Sequence, residues 1–260
     1  MVRINIDNKE VEANGESTLL ELARKNGIEI PTLCHHQAVT PYGACRLCLV
    51  EIKKEDETKL VTSCTYPVRE DGITVLTQSP KVNRVRKMIL EFLLARCPEV
   101  EIIQEMSAEM GIKQSRFILY DNDDCILCGL CARVCEEIIG KSAVSFTDRG
   151  PDRKVSTPFN EPSEECVGCT ACAFVCPTGA IKVEEWDEIR FIEKWNTEIP
   201  LQKCAKCDML YTPANTPGYI LSKMQLPENL LSLCEKCRRK SVAESLSNYD
   251  VTSKNVIVKK

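Results

Sequence analysis

From residue 2 the chain alternates apolar and polar side chains, VRINI and then VEA across the polar turn IDNKE, which predicts two strands. The period then changes. LLELARKNG has the spacing of a short helix, with Ser17 and Thr18 ahead of it, Thr18 and Glu21 placed as a capping box, and Gly27 as its stop. LCLVEIK, KLVTSC and GITVLT return to strand-like patterning. SPKVNRVRKMILEFLLARC predicts a longer helix with Ser79 as N-cap and Pro80 in the first turn, its apolar Val82, Val85, Ile89, Phe92 and Leu93 recurring at helical spacing. Farther on, CPTGAIKV turns back into a strand. The stretch holding Pro213, Pro217, Gly218 and Pro227 reads as loop, and CRRKSVAESLSNYDVTSKNVIVKK reads as a short helix with a basic end that offers a docking surface. No run approaches 18 apolar residues, since the greasiest piece, MILEFLLA, carries a glutamate, so no transmembrane segment is predicted.

Composition changes the picture through one residue type. Among 260 residues there are 17 cysteines and two histidines, and cysteine at that density means disulfides or metal. The first residues, MVRINIDNKEVE, contain no apolar core of a secretory signal, so a reducing cytoplasm is the expected setting and metal the expected use of the cysteines. Net charge is −4 and aromatics make up 5%, which argues against a nucleic-acid binder.

Sixteen of the cysteines fall into four quartets, leaving Cys97 alone. Cys125, Cys128, Cys131 and Cys135 are spaced C-x2-C-x2-C-x3-C, and Cys166, Cys169, Cys172 and Cys176 repeat that spacing with Pro177 following. In this bacterial ferredoxin run three thiolates wrap one cubane and the fourth reaches the other cluster. On that logic Cys125, Cys128, Cys131 and Cys176 hold one [4Fe–4S], and Cys166, Cys169, Cys172 and Cys135 hold the second. Gly129 and Gly168 stand where the backbone must come close and take positive φ. The first half departs from the pattern, with Glu136 where proline is expected. Paired zinc knuckles explain a duplicated triple-plus-one poorly.

Cys34, Cys45, Cys48 and Cys64 are spaced C-x10-C-x2-C-x15-C. The x2 pair and distant fourth cysteine match a plant-type [2Fe–2S] site, with a first loop six residues longer. Strand, strand, helix, cysteine loop and further strands are the order of a β-grasp ferredoxin domain over residues 1–78. His35 and His36 are adjacent, so they cannot supply the two separate loops of a Rieske-type centre and read as solvated loop residues. Cys204, Cys207, Cys234 and Cys237 form two C-x2-C pairs that fit either a further [4Fe–4S] or a structural zinc. The usual knuckle glycines are replaced by Asp208 and Arg238, and the company of three iron-binding groups tips this reading toward a cluster.

A β-grasp [2Fe–2S] domain with C-x10-C-x2-C, a linker helix ending EFLLARCP, then CILCGLCARVCEE together resemble the N-terminal part of the large iron–sulfur subunit of respiratory complex I. They are also similar to the small diaphorase subunits of soluble NAD-linked hydrogenases and formate dehydrogenases and to the N-terminal region of multi-cluster iron hydrogenases. The resemblance covers residues 1–183, and with the readings above it gives an α+β chain: a [2Fe–2S] domain (1–78), a helical linker (79–117) and a two-cluster ferredoxin-like domain (118–190), followed, on the spacing of its own cysteines, by a C-terminal four-cysteine metal-binding module with a basic tail (191–260). Such relatives usually carry a histidine and three cysteines after the linker helix for one more [4Fe–4S]. This sequence has RCPEVEIIQEMSAEMGIKQSRF instead, so that cluster is expected to be absent and Cys97 to be a buried free thiol. No dinucleotide or phosphate-loop motif is present, and the hydrogenase likeness stops before any catalytic domain. The expectation is therefore a non-catalytic subunit of a hetero-oligomer. It would relay single electrons between a flavin/NADH-binding subunit, or ferredoxin, and a catalytic subunit such as a hydrogenase, formate dehydrogenase or aldehyde oxidoreductase. Two rivals are a succinate dehydrogenase/fumarate reductase-type iron–sulfur subunit, against which the x10 loop counts, and a structural zinc-binding interaction protein.

Overall fold

The computed structural model describes residues 2–13, 18–119, 123–224 and 231–247. Strands β1 (Val2–Ile6) and β2 (Lys9–Ala13) pair antiparallel around Asp7 and Asn8, whose φ values of 47° and 69° are those a two-residue hairpin turn demands. β1 also runs parallel to β5 (Thr74–Leu76), which pairs with β3 (Leu49–Lys54), itself antiparallel to β4 (Glu57–Thr62). The sheet order is β2-β1-β5-β3-β4. Helix α1 (Leu19–Lys25) lays Leu19, Leu20, Leu22 and Ala23 against Ile4, Ile6, Val50, Ile52 and Val75, the core of a grasp-like domain. Thr18 caps it by accepting the Glu21 N–H at 3.3 Å, and Gly27, at φ 71°, follows its end; Ser17 lies outside the described residues.

Helix α2 (Pro80–Arg96) starts where its cap was expected, with Ser79 Oγ accepting the Val82 N–H. Its buried face differs from the apolar pattern: Val82, Arg86, Leu90, Glu91, Leu94 and Ala95 are inside, while Phe92 is 49% exposed and stacks on Phe117. Hydrogen bonding is the reason. Arg86 donates to the carbonyls of Leu47, Leu49 and Thr77 at 2.9, 2.8 and 3.2 Å, and Glu91 takes a bidentate fork from Arg116. A charge so satisfied is buried where a hydropathy pattern puts it outside. Helix α3 (Glu101–Glu109) packs on α2. Between them and the cysteine loops lies one continuous core in which Leu90, Leu94, Cys97 and Ile103 meet Leu33, Val39 and Leu47 on one side and Ile126, Leu130 and Val134 on the other. The linker is thus the shared core of its neighbours.

In the next region helix α4 (Leu130–Arg133) widens into a π turn over Val134–Ile139 and ends at Gly140, φ 71°. Its counterpart α5 (Ala171–Phe174) stops three residues before Pro177. Proline in one half and Glu136 in the other account for the difference, since only proline lacks the N–H that a continuing helix uses. Between the halves β6 (Ser145–Thr147) pairs with β7 (Lys154–Ser156). Strands β8 (Val183–Trp186), β9 (Ile189–Ile192), β10 (Thr197–Lys203) and β11 (Leu210–Pro213) then form one antiparallel sheet, β11-β10-β9-β8. The boundary expected at 190/191 falls inside β9, and this sheet joins the ferredoxin-like part to the C-terminal module. The stretch read as loop contains β11 and helix α6 (Asn215–Met224); Pro217 sits in its first turn, where a missing N–H costs nothing, and Pro227 is outside the described residues. Helix α7 (Glu235–Ser247) begins just after Cys234 and carries Cys237, the last cysteine of the fourth quartet, in its first turn. Among the described residues no helix is long and apolar enough to cross a membrane.

Candidate metal centres

The loop from Leu33 to Leu47 bends back so that its cysteines face the end of β4. Cys48 and Cys64 place their sulfurs 3.2 Å apart. Cys34 and Cys45 form the second pair, with the Cys45 N–H on Cys34 Sγ at 3.4 Å and the Leu33 N–H on Cys45 Sγ at 3.5 Å. All four are buried. Two pairs of thiols are the donor set of a [2Fe–2S] rhomb, which takes two thiolates on each iron. His35 and His36 are half-buried rather than solvated: Arg24 Nη1 is 3.2 Å from His35 Nδ1, and His36 Nδ1 accepts the Ala38 N–H.

The duplicated quartets converge on two cavities. One is lined by Cys125, Cys128, Cys131 and Cys176, the other by Cys135, Cys166, Cys169 and Cys172. Each thus collects three sulfurs from one run and the last from the other. Trp195, 2% exposed, walls both cavities and points its indole N–H at Cys172 Sγ, 3.5 Å away; Ala143 N–H reaches Cys135 Sγ at 3.3 Å. Burial pushes the Cys128 and Cys172 thiols up to about 11 and raises Cys125, Cys131, Cys166 and Cys169 as well. Neutral thiols are the stable form in such cavities without a cation, so the thiolates that clusters require fit only with the metal's own charge present. Gly129 (φ 71°) and Gly168 (φ 68°) take the left-handed backbone, but what presses on them is protein. A Cβ would meet the Phe146 ring at 2.9 Å in the first case, and Ile199 and Pro213 at 2.8 and 2.9 Å in the second.

Several residues that the sequence left unmarked tie these centres together. Arg133, between Cys131 and Cys135, donates to the Cys34 carbonyl at 2.9 Å and to that of Thr40, and lies over the Tyr42 ring. Glu137 accepts from the Thr40 N–H and hydroxyl at 2.7 and 2.8 Å. The lengthened x10 loop, which carries Thr40 and Tyr42, is therefore what docks the first centre on the second. Cys97 is fully buried, donates its S–H to the Asp123 carbonyl at 2.9 Å, and has its thiol pushed up to about 12 by burial. The last quartet stands apart in geometry: the sulfurs of Cys204, Cys207, Cys234 and Cys237 all lie within 4.8 Å of one another, with Cys207 and Cys234 at 3.7 Å.

A grasp sheet carrying paired thiols and a duplicated cysteine domain define a multi-cluster iron–sulfur electron carrier. Residues 1–80 match the 2Fe-2S iron-sulfur cluster binding domain, and residues 124–180 match the 4Fe-4S dicluster domain. The chain is 36% identical over 205 residues to the NADPH-Fe(3+) oxidoreductase subunit alpha of Geobacter sulfurreducens, covering 70% of this chain and 24% of that protein. It is 30% identical to the mitochondrial NADH-ubiquinone oxidoreductase 78 kDa subunit of Neurospora crassa (69% and 27% covered), and 30% identical to the NADP-reducing hydrogenase subunit HndD of Solidesulfovibrio fructosivorans (72% and 37%). A chain of the crystal structure of NAD+-reducing [NiFe]-hydrogenase in the H2-reduced state superposes with a TM-score of 0.57 at 29% identity, over 69% of this chain and 86% of that one. The protein is thus a homologue of the iron–sulfur subunits of NAD(P)H-linked oxidoreductases and hydrogenases. It spans about a quarter to a third of the length of those curated relatives.

Proposed function

We propose that the chain relays single electrons inside a multi-subunit oxidoreductase through three clusters in line. Cys34 and Cys45 with Cys48 and Cys64 hold the [2Fe–2S]; Cys125, Cys128, Cys131 and Cys176 hold an inner [4Fe–4S]; Cys166, Cys169, Cys172 and Cys135 hold an outer one. Such clusters supply one-electron redox chemistry without a change of coordination. The chain's own part is to exclude water, fix spacing and tune. The observation that carries this reading is the continuous core shared by Cys34, Cys45 and Cys128, which leaves apolar packing between the first two centres. Arg133 and Glu137 hold that junction closed from the rim. The relatives' names speak of NADH, NADPH and hydrogenase, which supports a nicotinamide-linked complex; within this reading a flavin/NAD(P)H-binding subunit or ferredoxin stands at one end and a catalytic oxidoreductase subunit at the other, in the cytoplasm. A succinate dehydrogenase-type role draws no support from these relatives.

The test is electron paramagnetic resonance of the anaerobically purified, reduced chain. One [2Fe–2S] signal and a broadened low-temperature signal from two interacting cubanes are expected; two magnetically isolated cubanes, or a colourless protein, would refute the relay.

A further inference from the structure

The sulfurs of the C-terminal quartet are drawn together as no other group of three or more is among the described residues, and that spacing assigns its metal. A single zinc with bonds of about 2.3 Å to four thiolates sets them at the corners of a tetrahedron with edges of about 3.8 Å. A cubane, with one iron behind each thiolate, spreads the four sulfurs to roughly 6 Å. Cys207 and Cys234 are 3.7 Å apart, and all four sulfurs lie within 4.8 Å. Among the described residues no other three cysteines close up this far.

The scaffold agrees with a mononuclear site. Cys204 and Cys207 occupy the turn between β10 and β11; Cys234 precedes α7 and Cys237 lies in its first turn, so the two pairs approach from a hairpin and a helix start. Asp208 takes the knuckle position where glycine is usual, and it does so with φ 55°, the left-handed backbone glycine would supply. Its N–H bonds to the Cys204 carbonyl at 2.9 Å, and the Cys234 N–H to Cys204 Sγ at 3.3 Å. Four thiolates in a tetrahedron select zinc, or iron of the same geometry, over hard cations.

What the ion would hold in place follows from the neighbours. Pro213 at the end of β11 presses on Gly168 in the loop of the outer cubane, and on α6 Thr216 Oγ1 donates to the Val167 carbonyl at 2.7 Å and the Tyr219 hydroxyl to the Ile139 carbonyl. We infer that Cys204, Cys207, Cys234 and Cys237 bind one redox-silent zinc ion, and that this zinc clamps the C-terminal module over the loop of the outer [4Fe–4S]. The zinc assignment does not depend on which cysteines hold the other clusters.

Metal analysis of the full chain, purified anaerobically, tests it. One zinc with about ten irons per chain is expected, as one [2Fe–2S] and two cubanes contain. About fourteen irons without zinc would overturn it in favour of a third cubane, and about eleven irons in favour of mononuclear iron. Cys237→Ser should lose the zinc, keep the irons, and bleach one cubane several-fold faster in air; zinc loss with unchanged bleaching would remove the clamp. Should that variant fail to fold, zinc-edge X-ray absorption of the unmodified chain decides, with four sulfurs at about 2.3 Å expected and any nitrogen or oxygen ligand counting against the site.

Discussion

The two halves of the ferredoxin-like domain share one cysteine spacing and fold into different surroundings. In the first half α4 runs on through a π turn that carries Cys135 and presents Arg133 and Glu137 to the [2Fe–2S] loop. Cys128 and Cys131 are buried in that half. In the second, the helix stops short of Pro177, Cys169 is exposed, and Phe174 is 86% exposed. Its cover comes from β10, β11 and α6 instead. A single substitution site, glutamate or proline after the fourth cysteine, thus separates a half that docks inward from one that ends near the surface. Spacing decides which cluster type is held, and the next residue helps decide where the helix can lead.

The two halves should differ most at their glycines. Gly168→Ala is expected to destabilise the domain by about 2–4 kcal/mol, since a left-handed backbone and a Cβ against Ile199 and Pro213 leave no soft neighbour. Gly129→Ala is expected to cost less, about 1–2 kcal/mol, because the half-buried Phe146 ring can swing away. Chemical denaturation of the two variants under anaerobic conditions measures both, and equal costs would mean the halves are packed alike.

A smaller difference between the halves is electronic. Trp195→Phe removes the N–H that reaches Cys172 and leaves no equivalent loss at the inner cubane. A hydrogen bond to a cluster sulfur favours the reduced, more negative state, so the outer cubane's potential should fall by on the order of tens of mV while the inner one's stays. Redox-poised spectroscopy reads this directly, and a shift shared by both cubanes would place Trp195 otherwise.

Much of this was legible in the sequence for a physical reason: metal ligation fixes spacing. The quartets, the grasp-like order, the Thr18 and Ser79 caps and the positive φ of Gly129 and Gly168 all follow from local rules. What was illegible depends on tertiary hydrogen bonding. Arg86 and Glu91 are charged yet inside, so the α2 face was misplaced. Arg133 and Glu137 look like solvated charges in a cysteine-rich run until Thr40 and the Cys34 carbonyl are brought to them. The α6 helix was hidden by Pro217 and Gly218, which punctuate loops more often than they open helices. The last quartet's C-x2-C pairs suit zinc and cluster alike, and only the separation of the sulfurs in space distinguishes them.

The most direct test of the account is to remove the fourth cysteine of each half and ask which cubane is lost. With Cys135→Ala, the outer cubane should be lost although most of its ligands lie in the other run, and the remaining cubane should still broaden the [2Fe–2S] signal of the reduced chain. With Cys176→Ala, the inner cubane should be lost and the [2Fe–2S] signal should sharpen. The reverse pattern, with each substitution removing the cluster of its own run, would contradict the crossed assignment and the order of the relay.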